Sequence, residues 1–372
     1  MRTETLSRQA LNRATLARQL LLERAAMPAV DAVHHLVGLQ AQLPLNPYVG
    51  LWSRLHRFEP EELARLLVGR RVVRIVVMRA TLHLVTAEDS LLLRPLVQTV
   101  LDKELARHRD YAPILRDVDL EPVLAFARPF LAEQPRTGAE LRAALKERFP
   151  AHDPGALAAA CRNLLALVQV PPRGLWGRSA QVVSTTAESW LGRPLVADAS
   201  IDDVVLRYLG AFGPATAADA ATWSGLTGLR EVLDRLRPQL RTFRDEHGRV
   251  LFDLSDAPRP GPDTPAPPRF LPEFDNLLLS HADRSRFAGA EGRRRFLGAA
   301  RPTVGTVLSD GRVCGTWVID DDRATAEATL RVAHVGALSP QARQELTVEG
   351  LHFVRFMRAE AAGHDVRLVR GT

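Results

Sequence analysis

The spacing of hydrophobic residues near the start of the chain predicts a group of helices followed by paired strands. Three stretches carry apolar residues at the helical period, namely 5–24, 30–42 and 60–68. Two runs rich in β-branched residues follow at 72–78 and 81–85, and the short Arg79-Ala80 connection between them predicts a hairpin. Three helices and a two-stranded wing in this order are typical of the winged-helix form of helix-turn-helix.

The same order of elements recurs twice, after a long helix at 86–109 that Pro95 should kink or restart. The second copy has the following helices and strands: 120–134, 138–149, 154–168, 168–170 and 182–184. The third copy has helices and a clear hairpin at these positions: 201–212, 216–224, 227–239 and 240–254. Three copies are much harder to obtain by chance than one, so the repeat itself is evidence of tandem modules.

The character of the chain changes after a proline-rich stretch. Residues 257–268 contain too many prolines for a helix or a central strand and predict an extended linker. Beyond it, alternating runs flank a hairpin signal at Ser309-Asp-Gly311. A strand near 325–333, a helix at 340–362 and a strand at 365–370 complete what we expect to be a barrel-like sheet covered by one helix.

These patterns predict an α+β protein that is mainly helical. We expect three tandem winged-helix modules, the first carrying a connecting helix, and then a linker and a C-terminal β-barrel-like domain. The predicted boundaries, in chain order, are 1–110, 111–197, 198–256, 257–268 and 269–372.

Composition narrows the class of protein. An apolar fraction of 46% and a charged fraction of 25% are ordinary for a soluble globular chain, and no apolar run is long enough for a membrane span. The N-terminus lacks the apolar core of a secretory signal. Cys161 and Cys314, the only cysteines, form neither a zinc motif nor a disulfide framework. We therefore expect a cytoplasmic, monomeric protein with no metal or cofactor.

Net charge points to a polyanionic partner, although composition offers a second explanation. The formal net charge is +6 and the pI about 10.1. Only Lys103 and Lys146 are lysine, so nearly all basic residues are arginine, which a GC-rich genome also produces. Basic residues concentrate beside the first hairpin and after the linker, where phosphate contact and a solvated surface are both open: Arg70, Arg71, Arg74, Arg79, Arg284, Arg286 and Arg293–Arg295.

The most informative polar residues are Gln40 and Gln42, which end an otherwise apolar segment. Buried amides need hydrogen-bond partners, and on an extended backbone residues two apart share a face. Pro44 disfavours helix for the residue before it, so the helix should end near Gln42 and let both amides face one cavity. A carboxamide can accept from a water and donate to an anion, which suits a reaction that needs an oriented water. The alternative is an amide pair that only bonds loop backbone.

Other candidate groups are less specific. His83 alternates with Thr81 and Val85 on the predicted strand and so could face the same cavity, although a core histidine with satisfied hydrogen bonds is the alternative. Glu273 and Asp275 share strand parity, yet local turn chemistry also accounts for them. The sequence contains no phosphate-binding loop or dinucleotide fingerprint.

Four segments together resemble a known family. They are Gln40-Ala41-Gln42 followed by Leu-Pro-Leu-Asn-Pro-Tyr48, Met78–Val85, Leu271–His281 and Ser309–Trp317. In sequence and order they are similar to the AlkZ-type DNA glycosylases, bacterial tandem winged-helix proteins with a C-terminal β-barrel. The Gln-aliphatic-Gln motif is the most specific element, and it resembles the branch associated with self-resistance to DNA-crosslinking natural products such as azinomycin.

The resemblance implies a function and a set of site residues. Gln40 and Gln42 would be catalytic, in hydrolysis of the N-glycosidic bond of N7-alkylated guanine, including unhooking of interstrand crosslinks. A C-shaped array would cradle double-stranded DNA, and the hairpin at 303–318 would probe the lesion. We therefore expect lesion-probing or DNA contacts from the following residues: Arg79, His83, Arg284, Arg286, Arg312 and Trp317. The alternatives are a non-enzymatic winged-helix regulator and a protein-interaction scaffold.

Overall fold

A computed structural model describes residues 4–289, 304–322 and 324–371. Its α-helices are α1 Arg8–Arg18, α2 Ala29–His35, α3 Asn46–Trp52, α4 Pro60–Val68, α5 Ala87–Leu96, α6 Gln98–Arg107, α7 Ala112–Leu115, α8 Glu121–Glu133, α9 Gly138–Arg148, α10 Pro154–Leu164, α11 Ala187–Leu191, α12 Ile201–Phe212, α13 Ala217–Ser224, α14 Leu229–Leu236, α15 Asn276–Leu279 and α16 Pro340–Met357. Its strands are β1 Thr5–Leu6, β2 Leu39–Gln40, β3 Val72–Val76, β4 Leu82–Thr86, β5 Arg136–Thr137, β6 Leu167–Gln169, β7 Val183–Thr186, β8 Leu240–Asp245, β9 Val250–Leu254, β10 Arg269–Leu271, β11 Gly305–Ser309, β12 Arg312–Asp322, β13 Glu327–His334 and β14 Gly363–Arg370.

The second predicted helix ends earlier than its hydrophobic spacing suggested. Helix α2 ends at His35, and the chain then turns through Val37 and Gly38, which have φ values of 54° and 93°. A side chain on Gly38 would lie 2.6 Å from Val85, so the turn brings the backbone too close to β4 for any larger residue. The expected helix up to Gln42 is wrong because this turn sends residues 39–40 into a strand.

Helix α3 was not predicted. Pro44 and Pro47 each disfavour helix for the preceding residue, so the sequence pattern indicates no helix directly after Gln42. Pro47 instead occupies the first turn of α3, where the missing N–H costs nothing and the fixed φ favours helix. Most of this helix is buried, and Tyr48 donates a hydrogen bond to the carbonyl of Gly174 in the second repeat.

The helix predicted at 5–24 is shorter than expected, because residues 5–6 form β1 and α1 spans only Arg8–Arg18. Most other predicted elements of the three repeats are close to the observed ones. Helix α4 has the expected bounds, and the long helix divides into α5 and α6 at Val97, just after Pro95. Thr137 and Thr216 form capping boxes at the starts of α9 and α13. The predicted hairpin of the third repeat is β8–β9.

The strands of separate repeats pair with one another, which the sequence did not indicate. The order β2-β4-β3-β6-β7-β5 forms one six-stranded sheet, in which Arg74 and Ile75 of β3 face Gln169 and Val168 of β6. The first and second repeats therefore share a sheet. Strand β1 pairs in parallel with β8, so the N-terminus adds a strand to the third repeat.

The C-terminal sheet is open, so the barrel prediction is wrong. Among the described residues, its order β10-β11-β12-β13-β14 leaves β10 and β14 as edges, because β14 pairs in parallel with β13 and not with β10. Helix α16 covers this sheet, as expected, and Phe353 from it packs against Phe270 and Trp317. The linker has no helix or strand, as predicted. It is held by arginines, since Arg18 donates to the carbonyl of Pro258 and Arg13 to that of Thr264.

No helix in the described part of the chain is long and apolar enough to cross a membrane. Likewise, within the residues whose structure is described, no three histidine, cysteine, aspartate or glutamate side chains come together as a metal-binding group.

Candidate active site

Gln40 lies at the end of β2, where its side chain contacts a partly buried arginine. The strand pairs Gln40 with His83 of β4, and the glutamine is only 6% exposed. Its Oε1 accepts a hydrogen bond of 2.8 Å from Nη2 of Arg79. No described residue accepts a hydrogen bond from its Nε2, and this atom keeps some solvent exposure. The structure thus orients this amide through an arginine and not through loop backbone.

Arg79 occupies the turn between β3 and β4 in a left-handed backbone conformation, with φ at 56°. A residue with a side chain adopts this conformation at a cost, which is typical of functional positions. Its Nη1 donates to the carbonyl of Trp223 near the end of α13, where the negative end of the helix dipole favours a cation. Burial, with a contribution from nearby Arg284, lowers the pKa of Arg79 to about 10, so it stays charged at neutral pH.

His83 completes this cluster as a neutral ring. Its Nδ1 lies 2.9 Å from the carbonyl oxygen of Thr81 and must donate to it, because a carbonyl can only accept. Its Nε2 is then an acceptor, 3.3 Å from Nη2 of Arg79. Burial and the charge of Arg79 lower the pKa of His83 to about 3. His83 is fully buried, so it supports Arg79 and does not offer a proton to a ligand.

Gln42 is exposed and lines a cavity of about 380 Å³ between the first and second repeats. The cavity is also lined by the arginines at 74, 162 and 173 and by Glu104. Arg74 donates to the carbonyl of Ala41, which fixes the backbone between the two glutamines. Gln40 does not line this cavity. The expectation that both amides face one cavity is therefore wrong, because only Gln42 lines it and Gln40 contacts Arg79.

The two basic residues predicted after the linker have different environments. Arg284 is half-buried and close enough to Arg79 to lower the pKa of that guanidinium. Arg286 is buried, and its Nη1 donates to Oγ1 of Thr15 and to the carbonyl of Pro214. Protein groups thus occupy Arg286 where DNA was expected, and a DNA contact by Arg284 stays a prediction. Arg293–Arg295 lie outside the described residues.

The hairpin expected to probe a lesion is docked against the first helix. Its turn at Asp310-Gly311 contacts α1, where Asn12 donates to the carbonyl of Gly311 and Arg13 pairs with Asp310. Trp317 points inward and donates to the carbonyl of Leu271 over 2.8 Å. Arg312 contacts the carbonyl of Ser285. The structure therefore does not support a probing role for this turn or for Trp317, because their contacts are within the protein.

The segment 271–281 supports the site through contacts that sequence reasoning did not assign. Asn276 donates to the carbonyl of Gly38, immediately before β2. Asp275 pairs with Arg54 of the loop after α3, and both side chains are buried. Glu273 is half-buried, and burial raises its pKa. No sequence signal could have assigned these contacts, since a contact between residues this far apart has no local pattern.

The fold and this site can now be placed among known proteins. The sequence profile described as DNA glycosylase AlkZ-like matches residues 33–356, a span that contains both glutamines. The protein belongs to this family. It is therefore a DNA glycosylase, a hydrolase that acts on N-glycosyl bonds, and the class of enzyme expected from the resemblance is confirmed. The regulator and scaffold alternatives are set aside.

Two similar proteins come from Streptomyces sahachiroi. An interstrand DNA cross-link repair glycosylase is 26% identical over 341 residues, which cover 82% of this chain and 86% of the relative. The solved structure of the DNA glycosylase AlkZ superposes with a TM-score of 0.79 at 22% identity and covers 98% of this chain and all of that one. That structural likeness establishes the shared fold.

Proposed function

We propose that this glycosylase removes N7-alkylated purines from duplex DNA, with Gln40 and Gln42 positioning the attacking water. The observation that carries the proposal is a pair of neutral amides beside cations: Gln40 accepts from Arg79, and Gln42 shares a cavity with Arg74. Such a site can orient and polarise water but cannot abstract a proton strongly.

The leaving group explains why such a weak catalyst is enough. An N7-alkylguanine is cationic and departs as a neutral base, so it needs little protonation from the enzyme. What the protein must supply is orientation of the water and stabilisation of a developing sugar cation by fixed dipoles. Lys103 and Lys146, the only lysines, lie outside this site, so no lysine is available for a Schiff base and we expect a monofunctional reaction.

The two glutamines have different environments, which supports a division of labour. Arg79 occupies Oε1 of Gln40, so the Nε2 of this residue is the end that can donate to substrate or water. Gln42 is exposed in the cavity, and its oxygen is available to accept from the nucleophilic water. We assign Gln42 to holding the water and Gln40 to donating towards the reacting group.

The helix–hairpin repeats support duplex DNA as the substrate. We infer that they serve as winged-helix modules, which commonly bind duplex DNA, and the net charge of +6 favours a polyanion. The name of the relative, an interstrand cross-link repair glycosylase, supports crosslinked bases as a second substrate. Such bases cannot easily be extruded into a closed pocket, and the exposed position of Gln42 suits them.

The test compares Gln42→Ala with the parent on duplex DNA that carries N7-methylguanine. Alkali after the reaction converts abasic sites to strand breaks, and single-turnover rates are measured from them. We expect base release to fall about 10²-fold or more, the scale of a lost general catalytic contact, with DNA affinity nearly unchanged. Gln341→Ala, at an exposed position of α16, is the matched control and should release the base at the parent's rate. Equal turnover by Gln42→Ala and the parent would remove the catalytic role.

A further inference from the structure

The cavity that holds Gln42 contains a buried arginine with unsatisfied hydrogen-bonding groups. Arg74 is 1% exposed and donates from Nη2 to the carbonyl of Ala41 over 2.9 Å. Its Nε and Nη1 have no hydrogen-bond partner. An unpaired buried donor typically costs on the order of 1–3 kcal/mol, and more when it is charged. Such an arrangement persists where a ligand completes it or where a function compensates for the cost.

The surroundings of Arg74 are also short of negative charge. Arg162 is exposed and makes no hydrogen bond or ion pair with any described residue, and Arg173 donates only to the carbonyl of Ala180. Glu104 is the one acidic residue in the lining, so the three arginines outnumber it. Burial and repulsion from Arg173 lower the pKa of Arg74 to about 10, which leaves it charged at neutral pH.

Neutral polar groups complete the lining. Asn163 and Gln169 face the cavity together with Gln42, and Oε1 of Gln169 is buried without a partner. His108 also lines the cavity, and its Nδ1 accepts hydrogen bonds from the backbone N–H groups of Asp110 and Tyr111. At about 380 Å³ the space would hold on the order of ten waters, more than a phosphate group needs. The site is therefore a cationic, polar cavity of sufficient size for a phosphate.

We propose that this cavity binds a phosphodiester group of the damaged strand through Arg74 and Arg162, next to the sugar that Gln42 serves. The inference rests on the proposed function, because it takes the phosphate to be that of substrate DNA. A guanidinium fork matches phosphate geometry and gives short charge-assisted hydrogen bonds. A phosphate held here fixes the strand relative to Gln42, and this places the sugar for attack by the oriented water.

The test is a scan of neutral linkages in DNA. Duplexes carrying a tetrahydrofuran abasic analogue receive one methylphosphonate at a time on either side of the analogue, and affinity is measured at fixed salt. With the parent protein we expect one position where neutralisation lowers affinity about tenfold or more, the scale of a hydrogen bond to a charged group. Arg162→Gln should bind unmodified duplex with a similarly reduced affinity. A methylphosphonate at the sensitive position should then cause no further loss of affinity in this variant.

Controls separate a specific contact from general charge loss. Arg343 is an exposed residue of α16, and Arg343→Gln removes the same charge far from the cavity lining. In this variant the neutral linkage should lower affinity as much as it does in the parent. Arg74→Lys keeps the charge but loses the fork, and should show the same loss as Arg162→Gln with an unchanged thermal midpoint. If both cavity variants retain the parent's loss at every position, no phosphate binds here and the proposal is overturned.

Two further arms identify the source of the phosphate and isolate this proposal from the previous one. Inorganic phosphate, at ionic strength matched with chloride, should compete with unmodified duplex but not with duplex neutral at the sensitive position. If inorganic phosphate stabilises the protein against heat but no neutral linkage lowers affinity, the cavity binds a free anion and the proposal is overturned. Binding to the abasic analogue needs no base release. Absence of glycosylase activity would therefore contradict the proposed reaction, whereas an Arg162-dependent loss of affinity at one neutral linkage would still support the phosphate site.

Discussion

At the scale of single residues, the site depends on one partly buried cation. Arg79 joins the oxygen of Gln40, the ring of His83 and the carbonyl of Trp223. These partners come from two strands and from a helix of the third repeat. The arginine therefore fixes which end of the Gln40 amide is free, and its own charge is stabilised by the C-terminal end of α13.

Replacing this cation should impair catalysis more than binding. We expect Arg79→Met to lower base release about 10²-fold, because misorientation of a catalytic group by about 1 Å can cost that much. Arg94→Met is the control, since Arg94 is a buried arginine that donates to the carbonyls of Asn163 and Leu165 and not to Gln40. Single-turnover rates and duplex affinities of both variants give the comparison.

Arg79 and Gln40 act together, so their substitutions should lower the rate of base release non-additively. The double variant Arg79→Met with Gln40→Met should be no slower than the slower single variant, because each change already removes the same oriented amide. Rates for Arg79→Met that match those for Arg94→Met would show that Arg79 contributes only to stability.

The neutral state of His83 predicts a dependence of stability on pH. Its pKa is about 3 in the folded protein and about 6.5 when unfolded, so the unfolded chain binds the extra proton between these values. The stability due to the neutral ring is complete above pH 6.5 and is lost as the pH falls towards 3. From pH 6.5 to 5 this amounts to about 2 kcal/mol.

Urea denaturation at pH 7, 6 and 5 measures this effect. His83→Gln keeps a donor and an acceptor without a titrating ring, so its free energy of unfolding should fall less over this range than that of the parent. His281, whose pKa burial also lowers to about 3, contributes equally to both proteins and cancels. Parallel pH profiles for variant and parent would contradict the assignment of His83.

At the scale of elements, the two-residue strand β2 places the glutamine motif. It is specified from both sides, by the tight turn at Gly38 and by pairing with β4, where Ala41 N–H donates to the carbonyl of Leu82. Asn276 adds a hydrogen bond to the carbonyl of Gly38. A strand this short has little stability of its own, so its neighbours determine where Gln40 lies.

A side chain at Gly38 should displace this strand. We expect Gly38→Ala to lower the free energy of unfolding by about 1–3 kcal/mol, since its Cβ would lie 2.6 Å from Val85 and φ is 93°. Gly192→Ala separates the two causes, because Gly192 also has positive φ but nothing within 4 Å of the added carbon. Urea denaturation should show a larger loss for Gly38→Ala, and base release should fall only in that variant. Equal losses in both would mean that the contact with β4 is unimportant.

At the scale of the whole molecule, buried ion pairs join parts of the chain that are far apart in sequence. Arg54, after α3, pairs in a fork with Asp275, and both side chains are buried. Arg18 of α1 pairs with Asp253 of β9 in the same way. The first pair thus joins the first repeat to the segment 271–281 that supports β2, and the second joins the first repeat to the third.

Breaking one such pair should destabilise the protein as a whole. Arg54→Met leaves the carboxylate of Asp275 buried and uncompensated, and we expect a loss of about 3–5 kcal/mol in the free energy of unfolding. The double variant Arg54→Met with Asp275→Leu should recover much of this loss, because it removes both charges from the interior. A double variant as unstable as the single one would show that the pair organises the interface by more than its charges.

How much the sequence predicts depends on the range of the interactions involved. Helix α4, the division at Pro95, the capping boxes and the β8–β9 hairpin follow from residues next to one another in the chain. The end of α2, helix α3, the shared sheet and the open edge at β14 do not. In each of these a distant segment decides the outcome, as Val85 does at Gly38.

The order of repeats, the glutamine motif and the family were all determined by the sequence itself, because local periodicity and short motifs carry that information. Only the tertiary structure decided which cations contact the amides. Arg79 meets Gln40 because a left-handed turn and a helix from the third repeat meet there, and Arg286 and Trp317 are taken up by protein contacts. Contacts between distant residues depend on how the elements pack, and packing leaves no periodic pattern in the chain.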